Sequence, residues 1–322
     1  MVDQGAVVDS ASWAVPPELE SVRLDVFVRR CLPHFPRREI DKAIAEKLFS
    51  VNGRCAKKGE RVVAGDRVAF SGPIHWLAAA PPPAAEIDIG VVYEDETILV
   101  LNKPAGMATH GFSARDQSTL ANFLSAHWPQ IVHVGKSRWE PGLVHRLDIE
   151  TSGLLLIAKK QTAYNRLREQ FRRREVKKIY WALVWGDTDA NGQIEFPLAH
   201  DRRDKRRMRV VTQTHGARGA RVWQALTRYR KLGAAKGASL LEIDMATGVT
   251  HQIRAHLAAI GHPIVGDGVY GPERKEAFGL TRHFLHAKGL QFSHPDNGRV
   301  IKLDAELPQE LCTVLKRLAV DF

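Results

Sequence analysis

The sequence has few cysteines, and their arrangement argues against two classes of structure. Cys31, Cys55 and Cys312 are the three cysteines among 322 residues, and no two of them form a C-x-x-C pair. An odd and scattered set of this kind predicts neither a disulfide framework nor a structural zinc site. We therefore expect free thiols in a reducing compartment.

The sequence also lacks a long apolar run and a recognisable targeting segment. No apolar run approaches the roughly 18 residues that a membrane-spanning helix needs. The first twenty residues, MVDQGAVVDSASWAVPPELE, contain no basic stretch followed by an apolar one, as a secretion signal would. We therefore expect a cytoplasmic protein without membrane contact.

Acidic residues are outnumbered by basic ones. Lys and Arg together number 47 against 36 Asp and Glu, which gives a net charge of +11. This excess favours a polyanionic partner such as nucleic acid, although a solvated basic surface explains the same excess. With 44% apolar residues, the chain is long enough for two domains with separate cores.

The first 71 residues predict a tail followed by a small domain. Residues 1–18 are small and polar, include Pro16 and Pro17, and predict a disordered tail. Residues 19–71 predict two short helices, separated by a break at Pro33 and Pro36, and then short strands with Asn-Gly and Gly-Asp turns. Residues 72–86, GPIHWLAAAPPPAAE, predict a flexible linker.

Basic residues are concentrated in and just after the second helix of this small domain. They are Arg37, Arg38, Lys42, Arg54, Lys57 and Lys58. The order of helix, R-R, helix, VNG, KK and GDRV resembles the S4-type RNA-binding module. The resemblance implies that these side chains contact an RNA backbone, whereas without it a solvent-facing charged helix is the simpler interpretation.

Residues 87–322 predict a second, larger domain of α+β class. Strand-like runs such as TILVLNKP, LLLIAKK and ASLLEIDM often follow one another without an intervening helix. This order favours a mixed, largely antiparallel central sheet with flanking helices rather than a doubly wound parallel one. The fold class of the whole chain is thus α+β, with a small N-terminal α/β module.

One carboxylate in this domain lies in an unusual setting. Asp148 is packed between two apolar segments in GLVHRLDIETSGLLLIAKK, just before a predicted strand at 153–158. Further along, TGVTHQIRAHLAAIGHP predicts a helix with Thr250 as its N-cap and Gly261 at its end, so that Arg254 falls in the first turn. An arginine at a helix N-terminus can bind a carboxylate, and Asp148 is the candidate for that carboxylate. A structural Asp–Arg pair is the alternative interpretation.

Six segments together resemble the signature blocks of the RluA-type RNA pseudouridine synthases, in that family's order. These segments are NKPAGMATH (102–110), HRLDIETSG (145–153), KKIYWALVWG (177–186), THQIRAHL (250–257), GDGVYG (266–271) and RHFLHAKGLQFSHP (282–295). The resemblance covers nearly all of residues 87–310. It implies the pseudouridine synthase fold.

The resemblance also implies roles for individual residues. Asp148 matches the essential aspartate and Arg254 its arginine partner. Tyr180 matches the tyrosine that stacks on the target base and for which help with proton removal has been proposed. Arg146 matches a residue that enters the space left by the flipped nucleotide, and Leu285 an apolar residue near the base. In the basic run 202–210, Arg206 and Arg207 are expected to contact RNA, although Arg207 replaces the family's more frequent lysine. Val249 stands where many members carry arginine, which puts one auxiliary contact in doubt.

The reaction that the resemblance implies is an isomerisation. It breaks the bond from uracil N1 to the ribose and rejoins the base through C5, so neither a cofactor nor a metal is expected. The expected partner is RNA, with large-subunit ribosomal RNA as the first candidate and tRNA as the alternative, and we expect a monomer. A non-catalytic RNA-binding or ribosome-assembly factor is a further alternative, against which the joint presence of Asp148, Tyr180 and Arg254 argues.

Two other chemistries are considered and not favoured. His145, His251 and His256 do not follow an H-E-x-x-H pattern, and packed histidines are the simpler interpretation. Asp148 and Glu150 are two carboxylates that could suggest a glycosidase or nucleoside hydrolase. Glu150 occupies a variable position of the HRLD-x-x-TSG block, so we predict no catalytic role for it.

Overall fold

The computed structural model describes residues 11–33, 35, 37–77, 80–113, 115–204, 206–211, 221–271 and 277–320. The chain divides into two compact units. The first comprises Met1–Ile87 together with His110–Pro141, and the second comprises Asp88–Thr109 together with Gly142–Phe322. Residues 110–141, which we expected within the larger domain, therefore belong to the first unit by their contacts.

The first segment of the first unit contains two short helices and a small sheet, and its second segment, residues 110–141, contributes a third helix. Its strands are β1 (Ala11–Ala14), β2 (Val22–Arg23), β3 (Phe49–Val51), β4 (Arg54–Cys55), β5 (Arg61–Val62) and β6 (Arg67–Phe70). Its helices are α1 (Leu24–Cys31), α2 (Arg37–Ala45) and α3 (Leu120–His127), with 3-10 turns at Ile74–Leu77 and Pro129–His133. The strands form a sheet in the order β1-β6-β3-β4 and a separate pair, β2 with β5.

The core of the N-terminal module explains these elements. Phe27 and Val28 of α1 and Ile40 of α2 are buried against Phe49 and Phe70, whose rings lie 5.1 Å apart. The helices are amphipathic, so their polar faces remain in water while the apolar residues cover the sheet. The two helices and the turns predicted from the sequence are confirmed.

The prediction of a disordered tail is wrong for the part of it that the structure describes. Residues 11–14 form β1, which pairs antiparallel with β6, and Val15 is buried. Trp13 packs against the apolar core of the module. The small polar residues of this segment favour disorder, but the aromatic side chain of Trp13 anchors it to the core. Residues 1–10 of the predicted tail lie outside the described residues.

Two hydrogen bonds connect the proline-rich segment to Asn122. The side chain of Asn122 donates a hydrogen bond to Pro82 O at 2.7 Å, and the N–H of Ala84 donates to Asn122 O at 3.3 Å. Asn122 also closes a capping box with Thr119 at the start of α3. Prolines lack an N–H but keep their carbonyl, which a buried amide can bind.

The second unit is built on a nine-stranded sheet with three helices. Its first strands are β7 (Gly90–Glu94), β8 (Ile98–Lys103), β9 (Ser152–Ala158), β10 (Lys177–Trp185), β11 (Asn191–Ile194) and β12 (Leu198–His200). The remaining strands are β13 (Met208–Val210), β14 (Val222–Trp223), β15 (Thr227–Ala235), β16 (Ala238–Met245), β17 (Leu285–Ser293) and β18 (Val300–Asp304). The helices are α4 (Gln161–Arg173), α5 (Gln252–Ala259) and α6 (Gln309–Leu318).

The sheet is mixed and largely antiparallel, which confirms the predicted α+β class. Its strand order is β11-β15-β16-β10-β17-β9-β8-β7, and β18 also pairs with β17. Strands β12, β13 and β14 form a separate small sheet. The pairing of β17 with β9 is parallel, and the other pairs described in this sheet are antiparallel. Strand β9, predicted at 153–158, is buried along its whole length.

Gly153 at the start of β9 allows the two central strands to meet. Its backbone has a φ of 114°, and a Cβ atom at this position would lie 2.3 Å from Ala287 O on β17. Only glycine tolerates both this conformation and this approach. The close approach of β9 and β17 therefore explains why glycine occupies this position of the HRLD-x-x-TSG block.

The start of α5 differs from the prediction. His251, not Thr250, is the N-cap residue, it has a left-handed conformation (φ 55°, ψ 18°), and its side chain makes no capping bond. The side chain of Gln252 instead accepts the N–H of Val249 at 3.1 Å. The end of the helix agrees with the prediction, since Gly261 adopts a φ of 84°.

Candidate active site

The site begins with the short loop that carries Asp148. Three side chains hold the peptide groups on either side of this residue. Thr109 Oγ1 donates to Leu147 O at 2.8 Å, and Lys103 Nζ donates to Ile149 O at 3.0 Å. Arg282 Nη1 donates to the next carbonyl, that of Glu150, at 2.9 Å. The loop is thus fixed through its main chain before any substrate binds.

Lys103 is fully buried at the end of β8. Its ammonium group donates to three carbonyls, those of Pro104, Met107 and Ile149, at 2.7, 2.8 and 3.0 Å. Burial lowers its pKa to about 7, and the Glu150 carboxylate opposes that shift. The three carbonyls match the three donors of an ammonium group, so the charged form fits this site.

Asp148 and Arg254 meet, as the helix pattern indicated. Arg254 Nη1 lies 3.1 Å from Asp148 Oδ2, although the two residues are 106 positions apart in the sequence. The guanidinium is almost fully buried, whereas the Asp148 side chain keeps 20% of its surface exposed. Among the described residues, the hydrogen bonds to this carboxylate come from Arg254 rather than from N–H groups of α5.

Arg254 is itself held by a second carboxylate, Asp267. The Nε and Nη2 groups of Arg254 donate to Asp267 Oδ2 and Oδ1 at 2.7 and 2.8 Å. Asp267 Oδ1 also accepts the N–H groups of Val269 and Tyr270 at 2.9 and 3.0 Å. Because Asp267 is bound in this bidentate way, Arg254 reaches Asp148 with its remaining nitrogen only.

The electrostatics of this cluster leave a negative charge at its open end. Burial disfavours the Arg254 cation, but Asp267 and Asp148 outweigh it and raise the pKa of Arg254. Burial likewise opposes ionisation of Asp267, but Arg254 outweighs it and lowers the pKa of Asp267. One guanidinium between two carboxylates gives a net charge of about −1 when Asp148 is ionised. Asp148 can therefore act as a nucleophile or base beside a charged partner.

Tyr180 and Leu285 face the same cleft as Asp148. Tyr180 lies on β10, next to a bulge at which the strand pairing skips Lys288 of β17, and the side chain of Leu285 is buried at the start of β17. A bulge re-aims side chains on a strand. Burial, and then the Asp148 carboxylate, raise the pKa of Tyr180 well above its ordinary value, so the phenol stays neutral at pH 7.

Asp148 and its neighbours line a cleft that is open to solvent. Arg146, whose side chain is exposed, lies at its edge. The residues that line it are Arg146, Leu147, Asp148, Thr151, Tyr180, Met245, Gly248, Val249, Thr250, His251, Gln252, Ile253, Arg254 and Leu285. All five cleft residues that the resemblance implied are among them.

The remaining predicted RNA contacts lie elsewhere and are exposed. Arg37, Arg38 and Lys42 are on α2 of the first unit, and Arg54, Lys57 and Lys58 are on β4 and the loop after it. Two of them have acidic neighbours: Arg37 lies 3.6 Å from Asp25, and Arg54 lies 2.6 Å from Glu60. In the second unit, Arg206 pairs with Asp204 at 2.9 Å, and Arg207 lies over the ring of Tyr270 at 5.2 Å.

The histidines near the site do not form a metal centre. His145 Nε2 accepts the N–H of Leu156 at 2.9 Å, and burial lowers its pKa to about 3. His256 is hydrogen-bonded to Thr227 and to Phe196 O. In the part of the chain that the structure describes, no three His, Cys, Asp or Glu side chains are grouped so that they could hold a metal ion.

Several residues that organise the site were missed by sequence reasoning. Asp267, Lys103 and Arg282 all lie inside the six segments that carried the resemblance, yet no role was predicted for them. The sequence does contain a signal for Lys103, because this lysine is the last residue of the apolar strand segment TILVLNK. For Asp267 and Arg282 the sequence alone gives no partner, because their contacts are made by residues far away along the chain.

Comparison with known sequences identifies two families. Residues 97–259 match the family model described as RNA pseudouridylate synthase, and residues 22–68 match that of the S4 domain.

Among the described residues, no helix is both long and apolar enough to cross a membrane.

Relatives match over nearly the whole chain. One from Chloroflexus aurantiacus, named an uncharacterized RNA pseudouridine synthase, is 40% identical over 94% of this chain and 92% of its own. One from Escherichia coli, named ribosomal large subunit pseudouridine synthase D, is 34% identical over 93% and 91%.

A solved structure agrees with these matches. Human RNA pseudouridylate synthase domain containing 4 has a TM-score of 0.56 and 26% identity, covering 72% of this chain and 94% of that one. The predicted family and the S4-type module are thereby confirmed. The chain belongs to the RNA pseudouridylate synthase family and is an RNA pseudouridine synthase with an S4 domain ahead of its catalytic part.

Proposed function

We propose that this enzyme isomerises uridines in ribosomal RNA of the large subunit, with Asp148 as its catalytic carboxylate. The observation that carries the proposal is the cleft in which Asp148 lies, 3.1 Å from Arg254 and beside Tyr180. The choice of substrate is supported by relatives from Escherichia coli and Neisseria meningitidis that are named ribosomal large subunit pseudouridine synthase D.

In this proposal the target uridine leaves its helix and enters the cleft. Flipping a base out costs a few kcal/mol. Stacking on an aromatic ring is worth about 1–3 kcal/mol per base, so Tyr180 offsets much of that cost. Arg146, exposed at the edge of the cleft, fills the space that the base leaves in the RNA.

The chemistry then takes place next to Asp148. The bond between N1 and C1′ breaks, the base turns, and a bond forms between C5 and C1′. The proton on C5 is lost and N1 gains one, so the product is an isomer of the substrate. The carboxylate stabilises or captures the fragment that forms when the first bond breaks, and the guanidinium of Arg254 lies 3.1 Å from it. Each atom of the product comes from the substrate or solvent, so the proposal includes no cofactor.

The neutral phenol of Tyr180 supports stacking rather than proton removal as its role. A base would have to accept a proton, and burial beside a carboxylate disfavours the phenolate that could do so. We therefore expect Tyr180→Phe to retain most of the wild-type turnover and Tyr180→Ala to lose most of it. Equal losses in the two variants would show that the hydroxyl group is needed.

The S4 domain provides the second RNA contact in this proposal. Its exposed Arg38, Lys42, Lys57 and Lys58 offer positive charge to phosphate groups, which release counterions on binding. Arg206 is an exposed basic residue of the second unit. We propose that these contacts select the RNA, while the cleft selects the base.

The proposal is tested by tritium release from RNA labelled at C5 of uridine. Unmodified large-subunit rRNA and tRNA are incubated with wild type, Asp148→Asn and Glu150→Gln. We expect release from the rRNA with wild type and Glu150→Gln, and none with Asp148→Asn. Release from tRNA alone would contradict the assigned substrate, and wild-type release by Asp148→Asn would contradict the assigned catalytic residue.

A further inference from the structure

His251 lies in the cleft and has no role in the mechanism described so far. It precedes α5 in a left-handed conformation, which is uncommon for a residue other than glycine, although histidine is among the residues enriched there. Its imidazole does not cap the helix, which is what a side chain at this position usually does. Its side chain is 20% exposed, so it can be reached from the cleft.

The hydroxyl group of Tyr270 is the hydrogen-bond partner of the His251 ring. The Tyr270 hydroxyl oxygen accepts the backbone N–H of Met208 at 2.6 Å, so its hydrogen is free to be donated elsewhere. His251 Nδ1 lies 3.2 Å from that oxygen. A neutral imidazole that accepts the Tyr270 hydrogen at Nδ1 carries its proton on Nε2, and this is the tautomer that the proposal below requires.

The Nε2–H group is directed toward the reacting centre. Nε2 lies 3.8 Å from Asp148 Oδ2, which is too long for a hydrogen bond. Among the described residues, Nε2 has no other hydrogen-bond partner. A donor that is oriented, partly buried and unsatisfied beside a catalytic carboxylate is available to a ligand that enters the cleft.

The charges around His251 favour its neutral form. Burial lowers its pKa, and this is opposed by Asp148. Arg254 and Arg146 lower the pKa further, and Asp267 raises it. At pH 7 the imidazole is therefore a neutral donor and does not neutralise Asp148.

We propose that His251 is a substrate-contacting residue whose Nε2–H donates a hydrogen bond to an oxygen acceptor of the target nucleotide beside Asp148, and that Tyr270 is the positioning residue that sets its tautomer. This inference rests on the proposed function, because it assumes that a nucleotide occupies the cleft. It adds a neutral donor to a site in which the other donor next to Asp148 is the charged Arg254.

Three variants at position 251 distinguish the effect of the Nε2–H donor from the effect of the left-handed backbone. Glycine and asparagine both tolerate the left-handed conformation, but neither places a donor at the position of Nε2. Glutamine places its amide nitrogen close to that position. In single-turnover reactions on large-subunit rRNA, we expect His251→Gly and His251→Asn to lower the rate by about three- to tenfold, the loss that one hydrogen bond supports. His251→Gln should recover most of the rate.

Tyr270→Phe tests the positioning role through a double-mutant cycle. If Tyr270 acts through His251, the substitution should lower the rate in wild type and have no further effect in His251→Gly. The ¹⁵N spectrum of histidine-labelled enzyme gives an independent readout. The signals lost in His251→Gln should show an Nε2–H tautomer in wild type and a mixture of tautomers in Tyr270→Phe.

The outcomes distinguish this inference from the proposed function. Wild-type rates in His251→Gly and His251→Asn, or no recovery in His251→Gln, would overturn the donor role. An Nδ1–H tautomer in wild type would overturn the role of Tyr270. If the wild-type enzyme releases no tritium from any RNA, both the proposed function and this inference fail together.

Discussion

Replacing Asp267 by asparagine tests the network that holds Asp148, the proposed catalytic carboxylate. Asp267 Oδ1 accepts three N–H groups, from Arg254, Val269 and Tyr270, whereas Oδ2 accepts only Arg254 Nε, at 2.7 Å. Asparagine can keep its carbonyl oxygen at the first position. Its amide then places two hydrogens against the Nε–H of Arg254, so two donors face each other in a buried site.

The expected loss in stability follows from the burial of this pair. Removing one partner of a buried ion pair costs about 3–5 kcal/mol, because the other charge is left uncompensated. Asp148 still contacts Arg254, so we expect a value near the lower limit, about 3 kcal/mol. Turnover should fall as well. Without Asp267 the guanidinium is free to move toward Asp148, and a displacement of about 1 Å at a reacting group can cost about 100-fold.

The measurement combines urea unfolding with tritium release. Asp304→Asn is the matched control, because it removes a carboxylate that is 73% exposed and 3.6 Å from Lys288. Exposed pairs contribute about 0–1 kcal/mol, so this control should keep its stability and its turnover. If Asp267→Asn turns over RNA as wild type does, Asp267 does not position Arg254 and the reasoning is refuted.

Three further predictions concern the mount of the catalytic loop, the central strands and the S4 domain. Burial lowers the pKa of Lys103 to about 7 from 10.5, so between these values the unfolded chain binds more protons than the folded one. Between pH 7 and 9 the wild type should therefore gain up to about 1.4 kcal/mol of stability per pH unit over Lys103→Met; parallel unfolding curves at pH 7, 8 and 9 would contradict this. Gly153→Ala brings a Cβ within 2.3 Å of Ala287 O, so it should cost more than about 1 kcal/mol and lower the yield of folded enzyme; unchanged thermal unfolding would show that the strands separate easily. Lys57→Glu with Lys58→Glu should weaken rRNA binding and reduce its slope against log salt by about 2; an unchanged slope would exclude both from the interface.

The sequence predicts the site better where its own local pattern determines the geometry. Arg254 could be placed in the first turn of a helix from apolar spacing and from Gly261, and that placement brought it to Asp148. The cap of the same helix was predicted wrongly. Thr250 has a suitable side chain, but the Gln252 side chain binds the backbone there, and His251 takes the left-handed conformation.

What the sequence could not predict depends on contacts between distant segments. Lys103 binds the carbonyl of Ile149, 46 positions away, and Arg282 binds that of Glu150, 132 positions away. Neither contact follows from a period or a turn signal, because both arise when β8, β9 and β17 pair. Strand β1 was missed for the same reason, since its partner β6 lies more than 50 residues further along.

The way in which the catalytic loop is held has a consequence for how this enzyme can change. Lys103 and Arg282 bind the backbone oxygens of Ile149 and Glu150 rather than their side chains, and the side chain of Ile149 is largely exposed. Every amino acid supplies the same backbone oxygen. Positions 149 and 150 can therefore be exchanged while the carboxylate of Asp148 keeps its place, so that under the proposed function substrate preference and chemistry can evolve separately within one loop.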